Sequence, residues 1–169
     1  ALHIGHDIEH KDILEQSHFI EHLMCLFTSS KYPYGQKNRE LFSFNNIDID
    51  AETDNKYIGF NLEFKKIHID IVLDIVTHAL RDFKIDKLMF QNEKNSIIEE
   101  LNEIIDDNMY AFNTLLSHNI YNKHNRSISQ KDRLKKCKTY NVDDLQQFYK
   151  KYLIPNNIVI GLAGNLNIK

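Results

Sequence analysis

Only two cysteines, Cys25 and Cys137, occur in 169 residues, and their separation fits neither a metal knuckle nor a disulfide framework. A reducing, intracellular compartment is the expectation. No apolar run approaches the roughly 20 residues that span a bilayer, and the first residues lack a signal-peptide pattern, so a soluble domain without a membrane span is expected. A long basic block is missing too. The 21 Lys and Arg are outnumbered by 24 Asp and Glu. The densest basic cluster, Lys135-Lys136-Cys137-Lys138, reads as a solvated loop or helix end, which argues against a nucleic-acid partner. Internal repeats are absent. What is present is a chain with 42% hydrophobic residues, enough for one core, so residues 1–169 read as a single domain.

The stretch from Gln16 to Phe27 is apolar except for one pattern, His18-x-x-Glu21-His22. In a helix, at about 100° per residue, His18, Glu21, His22 and Cys25 share one stripe, while Phe19, Ile20, Leu23, Met24, Leu26 and Phe27 cover the other faces. Such a helix is buried nearly all round. Burying two imidazoles and a carboxylate is costly unless partners satisfy them, and a divalent ion fits the geometry. Histidines at i and i+4 each aim a ring nitrogen at one ion, with zinc the natural candidate and room left for a third ligand and a water. Glu21, three residues from one histidine and adjacent to the other, reaches that water as a general base. The competing reading is a core helix whose histidines bond backbone carbonyls.

His-x-x-Glu-His is the inverzincin order. At these residues the chain resembles the pitrilysin family, which includes insulin-degrading enzyme and the mitochondrial processing peptidases, and matching segments run from about Ile4 to Ile168. One departure is local: the family usually carries a glycine shortly before its first metal histidine, where this chain has Glu15-Gln16-Ser17. The family domain also begins with a strand that should precede Ala1. The resemblance therefore implies a fragment, or one half of a larger two-half enzyme.

The rest of the chain supplies expected elements. Leu2 and Ile4 read as the tail of a strand, and His3, His6 and His10, with Asp7, Glu9 and Asp12 among them, read as a solvated loop. Tyr32-Pro33-Tyr34-Gly35 is a turn-rich exit from the metal helix. Alternation over Ile47–Thr53 and over Ile58, Phe60, Leu62 and Phe64 predicts a hairpin about Asp54-Asn55-Lys56. The spacing of Ile69, Val72, Leu73, Val76, Leu80 and Phe83 predicts a helix over 68–83. From Phe90 a longer helical stripe runs through Ile97, Leu101, Ile104, Met109, Phe112, Leu115 and Leu116. Residues 119–138 read as surface loop. Asn141 and Asp144 form a reciprocal cap on a helix burying Leu145, Phe148, Tyr149 and Tyr152, followed by Pro155 and a buried strand over 158–165. The fold class expected is α+β, a largely antiparallel sheet with helices packed on one face.

For the third metal ligand, Glu99 and Glu100 compete. Helical phase puts Glu99 about 150° from the centre of the apolar stripe, facing water, and Glu100 about 110° away, at its border. The family pairs its ligand with a glutamate seven residues earlier, here Glu93, which agrees with Glu100; the spacing of many family members would select Glu99 unless a loop holds one extra residue. The resemblance implies zinc on His18, His22 and Glu100, and Glu93 as a carboxylate behind them that orients ligands or water. It also implies substrate pairing along the strand edge at Asp50 and Ala51, with Asp50 replacing the family's asparagine. The function implied is zinc-dependent endopeptidase action on extended peptides or unfolded proteins, through a metal-activated water with Glu21 as base. A second family domain, in the same chain or in a partner subunit that includes a second copy, would complete the chamber, so residues 1–169 alone are expected to bind zinc and cleave poorly. The alternative is a non-catalytic structural or substrate-presenting member.

Overall fold

The computed structural model describes residues 1–122 and 124–165. Seven α-helices and one hairpin follow in order: α1 Gln16–Met24, α2 Gly35–Phe44, β1 Asp48–Thr53, β2 Ile58–Glu63, α3 Ile69–Asp82, α4 Lys87–Asp106, α5 Tyr110–Ile120, α6 Gln130–Cys137 and α7 Val142–Tyr152. The chain is α+β. β1 and β2 pair antiparallel, with Asp48 opposite Glu63 and Thr53 opposite Ile58. Their two-residue alternation leaves Asp48, Asp50 and Glu52 exposed and Ile49, Ala51 and Thr53 half-buried. Leu2 bridges antiparallel to both Ile58 and Ile158. The sheet therefore grows on the β2 side, and β1 is an edge strand among the described residues. Gly5 lies against the hairpin turn, where a Cβ would collide with backbone of Asp54 and Asn55.

α1 is the centre of the core. Phe19, Ile20, Leu23 and Met24 are buried, each stabilising the fold by about 1.5–3 kcal/mol relative to exposure. The Phe19 ring stacks on Phe90 of α4 at 5.7 Å and meets Tyr140 edge-on at 6.0 Å. α1 also packs against β1, β2 and α7. With three faces committed to apolar neighbours, its polar stripe has one direction left. α7 starts with the Asn141–Asp144 capping box and buries Leu145, Phe148 and Tyr149. A smaller core gathers Phe27, Phe42, Ile47, Val72, Ile75 and Ala79 between α2, α3 and the hairpin.

Several elements depart from the sequence expectation. α2 occupies the run-up to the hairpin, where no helix was expected. Only Gly35, Asn38 and Phe42 of it are buried, so its apolar stripe is too thin to read; Asn38 ties it down by donating to the carbonyls of Leu26 (2.9 Å) and Phe27 (3.1 Å). α3 is rotated from its expected face. Ile75 and Ala79 are buried with Val72, while Leu73 is exposed and joins Ile69, Val76 and Leu80 along an open apolar groove.

The long stripe from Phe90 belongs to two helices. Asp107 takes extended ψ (137°) at the end of α4, and its side chain accepts from Met109 N at 2.6 Å. The break turns α5 outward, so Phe112 and Leu115 are exposed instead of buried. α6 replaces much of the expected loop, starting where the Ser129 side chain caps Asp132 N and burying Arg133 and Cys137. At the far end, Ile158 pairs with Leu2, but Val159 and Ile160 are exposed, so that segment is not a buried strand. Ile168, the end of the family resemblance, lies outside the described residues. Among those described, no helix is long and apolar enough to cross a membrane.

Candidate metal centre

α1 presents His18 and His22 one turn apart, and α4 crosses opposite them with Glu100. One ligand atom from each of the three lies within 4.8 Å of the others. His18 Nε2 and His22 Nε2 are 3.1 Å apart, Glu100 Oε2 lies 3.3 Å from His18 Nε2, and Glu100 Oε1 lies 3.6 Å from His22 Nε2. A tetrahedron whose corners sit about 2.0–2.1 Å from a central zinc has edges of about 3.3–3.4 Å. The residues present fit that ion, with two imidazoles and one carboxylate closing one face and leaving a fourth corner. α4 sets this register by burying Ile97 and Leu101, which leaves Glu99 exposed. Glu93, two turns before Glu100, is buried, with Oε2 3.3 Å from His22 Nδ1 and Oε1 3.4 Å from Arg39 Nη2. It holds the back of one ring while the front faces His18 and Glu100.

His18 is held in the same way. Its Nδ1 lies 3.1 Å from Glu15 Oε2. Burial disfavours the imidazolium, but hydrogen bonds with Glu100 and Glu15 and the charges of Glu15 and Glu21 outweigh it, raising the pKa from 6.5 to about 10. Glu100 is lowered, chiefly by its hydrogen bond with His18. At neutral pH the metal-free protein therefore carries a proton on His18 that a metal must displace. Below about pH 10, apparent zinc affinity is expected to rise with pH, by about tenfold per unit for this one proton. Competition titrations with a chromophoric chelator between about pH 6.5 and 8.5 check the slope.

Glu21, the remaining polar residue of the stripe, is buried, and its Oε2 accepts from the Thr53 hydroxyl at 2.7 Å. The last residue of β1 thus holds the carboxylate. Asp50 and Ala51 lie three and two residues before it on the same edge strand. Cys25, at the end of the stripe, keeps its thiol protonated, pushed up to about 12 by burial and then by the charge of Glu21.

The segment before α1 is not the solvated loop expected of it. Glu9 and Glu15 are buried around Arg133 of α6, whose Nη1 lies 3.1 Å from Glu9 Oε2 and 2.7 Å from Glu15 Oε1. Glu9 Oε1 accepts from Ser17 N at 2.9 Å, and His6 Nδ1 lies 3.0 Å from Glu9 Oε2. His6, Glu9 and Glu15 sit closely enough to suggest a second metal site, but the guanidinium already occupies the cation's place. Glu15 itself has φ 68° and ψ 2°, the left-handed conformation that costs a residue with a Cβ about 1–2 kcal/mol. The family's glycine region thus keeps a glycine-like backbone while carrying a glutamate.

Sequence reasoning missed Arg39, Arg133 and the roles of Glu9, Glu15 and Thr53. For the arginines no local signal existed, because each reaches its carboxylates across 54 residues or more. Glu15, three residues before His18, did carry one: i and i+3 meet on a helix face.

Comparison with known proteins places the chain in a family. Residues 1–132 match the family model described as Insulinase (Peptidase family M16). A protein of Bacillus subtilis (strain 168) named "Uncharacterized zinc protease YmxG" is 27% identical over 154 residues, covering 89% of this chain and 36% of its own length. The crystal structure of a protease from Helicobacter pylori superposes with a TM-score of 0.80 at 15% identity, over 92% of this chain and 38% of that one. The chain thus spans little more than a third of these relatives. With more than half of its residues matched by the family model, the chain belongs to the insulinase family of peptidases, M16.

Proposed function

We propose that this domain is the zinc-binding catalytic part of an endopeptidase, with His18, His22 and Glu100 as metal ligands and Glu21 as general base. The observation that carries the reading is the convergence of His18 Nε2, His22 Nε2 and the Glu100 carboxylate, the two nitrogens 3.1 Å apart and the two Glu100 oxygens 3.3 and 3.6 Å from them, close to the roughly 3.3–3.4 Å edges of a tetrahedral zinc site. Bound there, zinc would acidify a water and polarise the scissile carbonyl. The protein's own residues do the rest. Glu21 takes the proton from the attacking water and delivers it to the leaving amine. Thr53 keeps the carboxylate aimed while it changes charge, and Glu93 holds the His22 ring.

An extended peptide or unfolded segment adds to the free edge of β1 at Asp50 and Ala51, pairing through its backbone. That edge runs to Thr53, so a strand seated on it passes the base. The short span of the chain relative to its relatives supports a chamber completed by a second family domain, in the same chain or in a partner subunit, a second copy included.

The test is elemental analysis of the zinc-loaded protein, joined to hydrolysis of a quenched fluorescent peptide with and without chelator. One zinc per chain and chelator-sensitive cleavage by the whole protein are expected. No zinc after loading would overturn the metal reading; zinc without cleavage by the whole protein would favour the non-catalytic, substrate-presenting alternative.

A further inference from the structure

Both candidate histidine ligands have a buried carboxylate behind them, but the two carboxylates are supplied differently. Glu93 stands two turns from Glu100 on α4. Glu15 precedes α1 itself, in a left-handed backbone conformation that a glycine would adopt without strain. Something must favour glutamate there. Its two oxygens are fully used: Oε2 faces His18 Nδ1 at 3.1 Å, and Oε1 accepts from Arg133 Nη1 at 2.7 Å. Arg133 is in turn fixed by Glu9 and by the carbonyl of Asn125 (3.3 Å), and Glu9 is tied to the first turn of α1 through Ser17 N.

From this arrangement we infer that Glu15, clamped by Arg133, is a positioning residue for His18. The inference rests on the zinc-site reading above. With Nδ1–H donated to Glu15, the ring can neither flip nor rotate freely, and Nε2 is left as the free lone pair facing His22 and Glu100. Arg133 does for Glu15 what a backbone anchor does elsewhere: it fixes the acceptor so that the acceptor can fix the ring. α6, whose side chains make no hydrogen bond to the three proposed ligands, thereby acts on the metal centre through one guanidinium. The left-handed backbone is what lets the carboxylate, placed just before the helix, turn back under the His18 ring.

The test uses the whole protein loaded with Zn²⁺ alone, and the variants Glu15→Gly, Glu15→Gln and Arg133→Met. Glycine suits the backbone at 15 and removes the acceptor; glutamine keeps an acceptor and removes the charge. In the native zinc-loaded protein, ¹H–¹⁵N spectra of the histidine side chains are expected to contain a downfield, solvent-protected Nδ1 proton from His18. It should vanish in Glu15→Gly, move upfield in Glu15→Gln and broaden in Arg133→Met. Zinc affinity by chelator competition should fall about 10–100-fold in Glu15→Gly, the range for removing a partner behind a ligand, with partial recovery in Glu15→Gln. A merely structural role would change unfolding without moving the His18 resonance. If the native protein shows no protected His18 Nδ1 proton, or if Glu15→Gly binds zinc as tightly as native, the inference fails while the metal site stands. Failure of the native protein to bind zinc would instead remove the reading beneath it. The native spectrum decides the matter even if a variant does not fold.

Discussion

Replacing Glu21 by glutamine is expected to leave zinc in place and to lower peptide hydrolysis by about 10³-fold, within the roughly 10²–10⁴-fold that a positioned acid–base group supplies. The two side chains have the same shape. Glutamine can still accept the Thr53 hydroxyl bond that Glu21 Oε2 makes at 2.7 Å, so the buried site stays filled and the helix stays packed. What glutamine cannot do is take up a proton from the attacking water. A 10³-fold loss corresponds to about 4 kcal/mol of barrier. Steady-state turnover of a fluorogenic peptide, beside elemental analysis of the same preparation, checks both halves. Turnover within about tenfold of native, with zinc retained, would assign the base elsewhere.

The second large effect concerns the ion itself. His22→Ala and Glu100→Gln should each reduce zinc affinity by more than the roughly 100-fold ascribed to outer partners, whereas Glu99→Gln should bind as native does. His22→Ala removes one of the three proposed ligands and leaves Glu93 buried with Arg39 as its remaining partner, at 3.4 Å. Glu100→Gln keeps shape and exchanges a charged ligand for a weak one. Because zinc binds the folded form, a native protein at 100 times its dissociation constant should gain about 2.7 kcal/mol of stability. Denaturant unfolding with and without zinc should show that increment shrinking sharply in both variants. An equal loss with Glu99→Gln would shift the ligand assignment by one residue.

These tests rest on features that the sequence made legible to different degrees. α1 could be read because its apolar residues leave only one stripe for polar groups, and Glu100 could be separated from Glu99 because about 100° per residue is a large angle on a helix with one buried face. The α7 cap and the hairpin were legible for similar local reasons: Asn141 and Asp144 are three residues apart, and strand alternation has a period of two. What escaped was non-local or thin. α2 buries too few apolar residues to leave a pattern, α5 has an apolar stripe but no neighbour to bury it, and the turn at Asp107 depends on one side chain accepting from Met109 N. Glu9 looked like a solvent-facing acid, and Glu15 only like a substitute for glycine, because their partner, Arg133, lies 124 and 118 residues away. Charge pairing at that range carries no periodicity. Its trace in the sequence is an arginine in a polar stretch.

The bridge that Leu2 makes to Ile58 and to Ile158 joins segments that are far apart along the chain. Helices such as α1 and α7 can begin from contacts within a few residues, but this junction must bring together residues far apart along the chain and bear the loop entropy of doing so. Such long-range pairing is expected to close late in folding. Since Thr53, the last residue of β1, is paired with Ile58 of β2, loosening of the seam is expected to reach the residue that bonds Glu21 before it disturbs the histidines of α1. On the reading proposed above, the grip on the metal and the readiness of the base are then expected to fail separately, at different temperatures or denaturant concentrations.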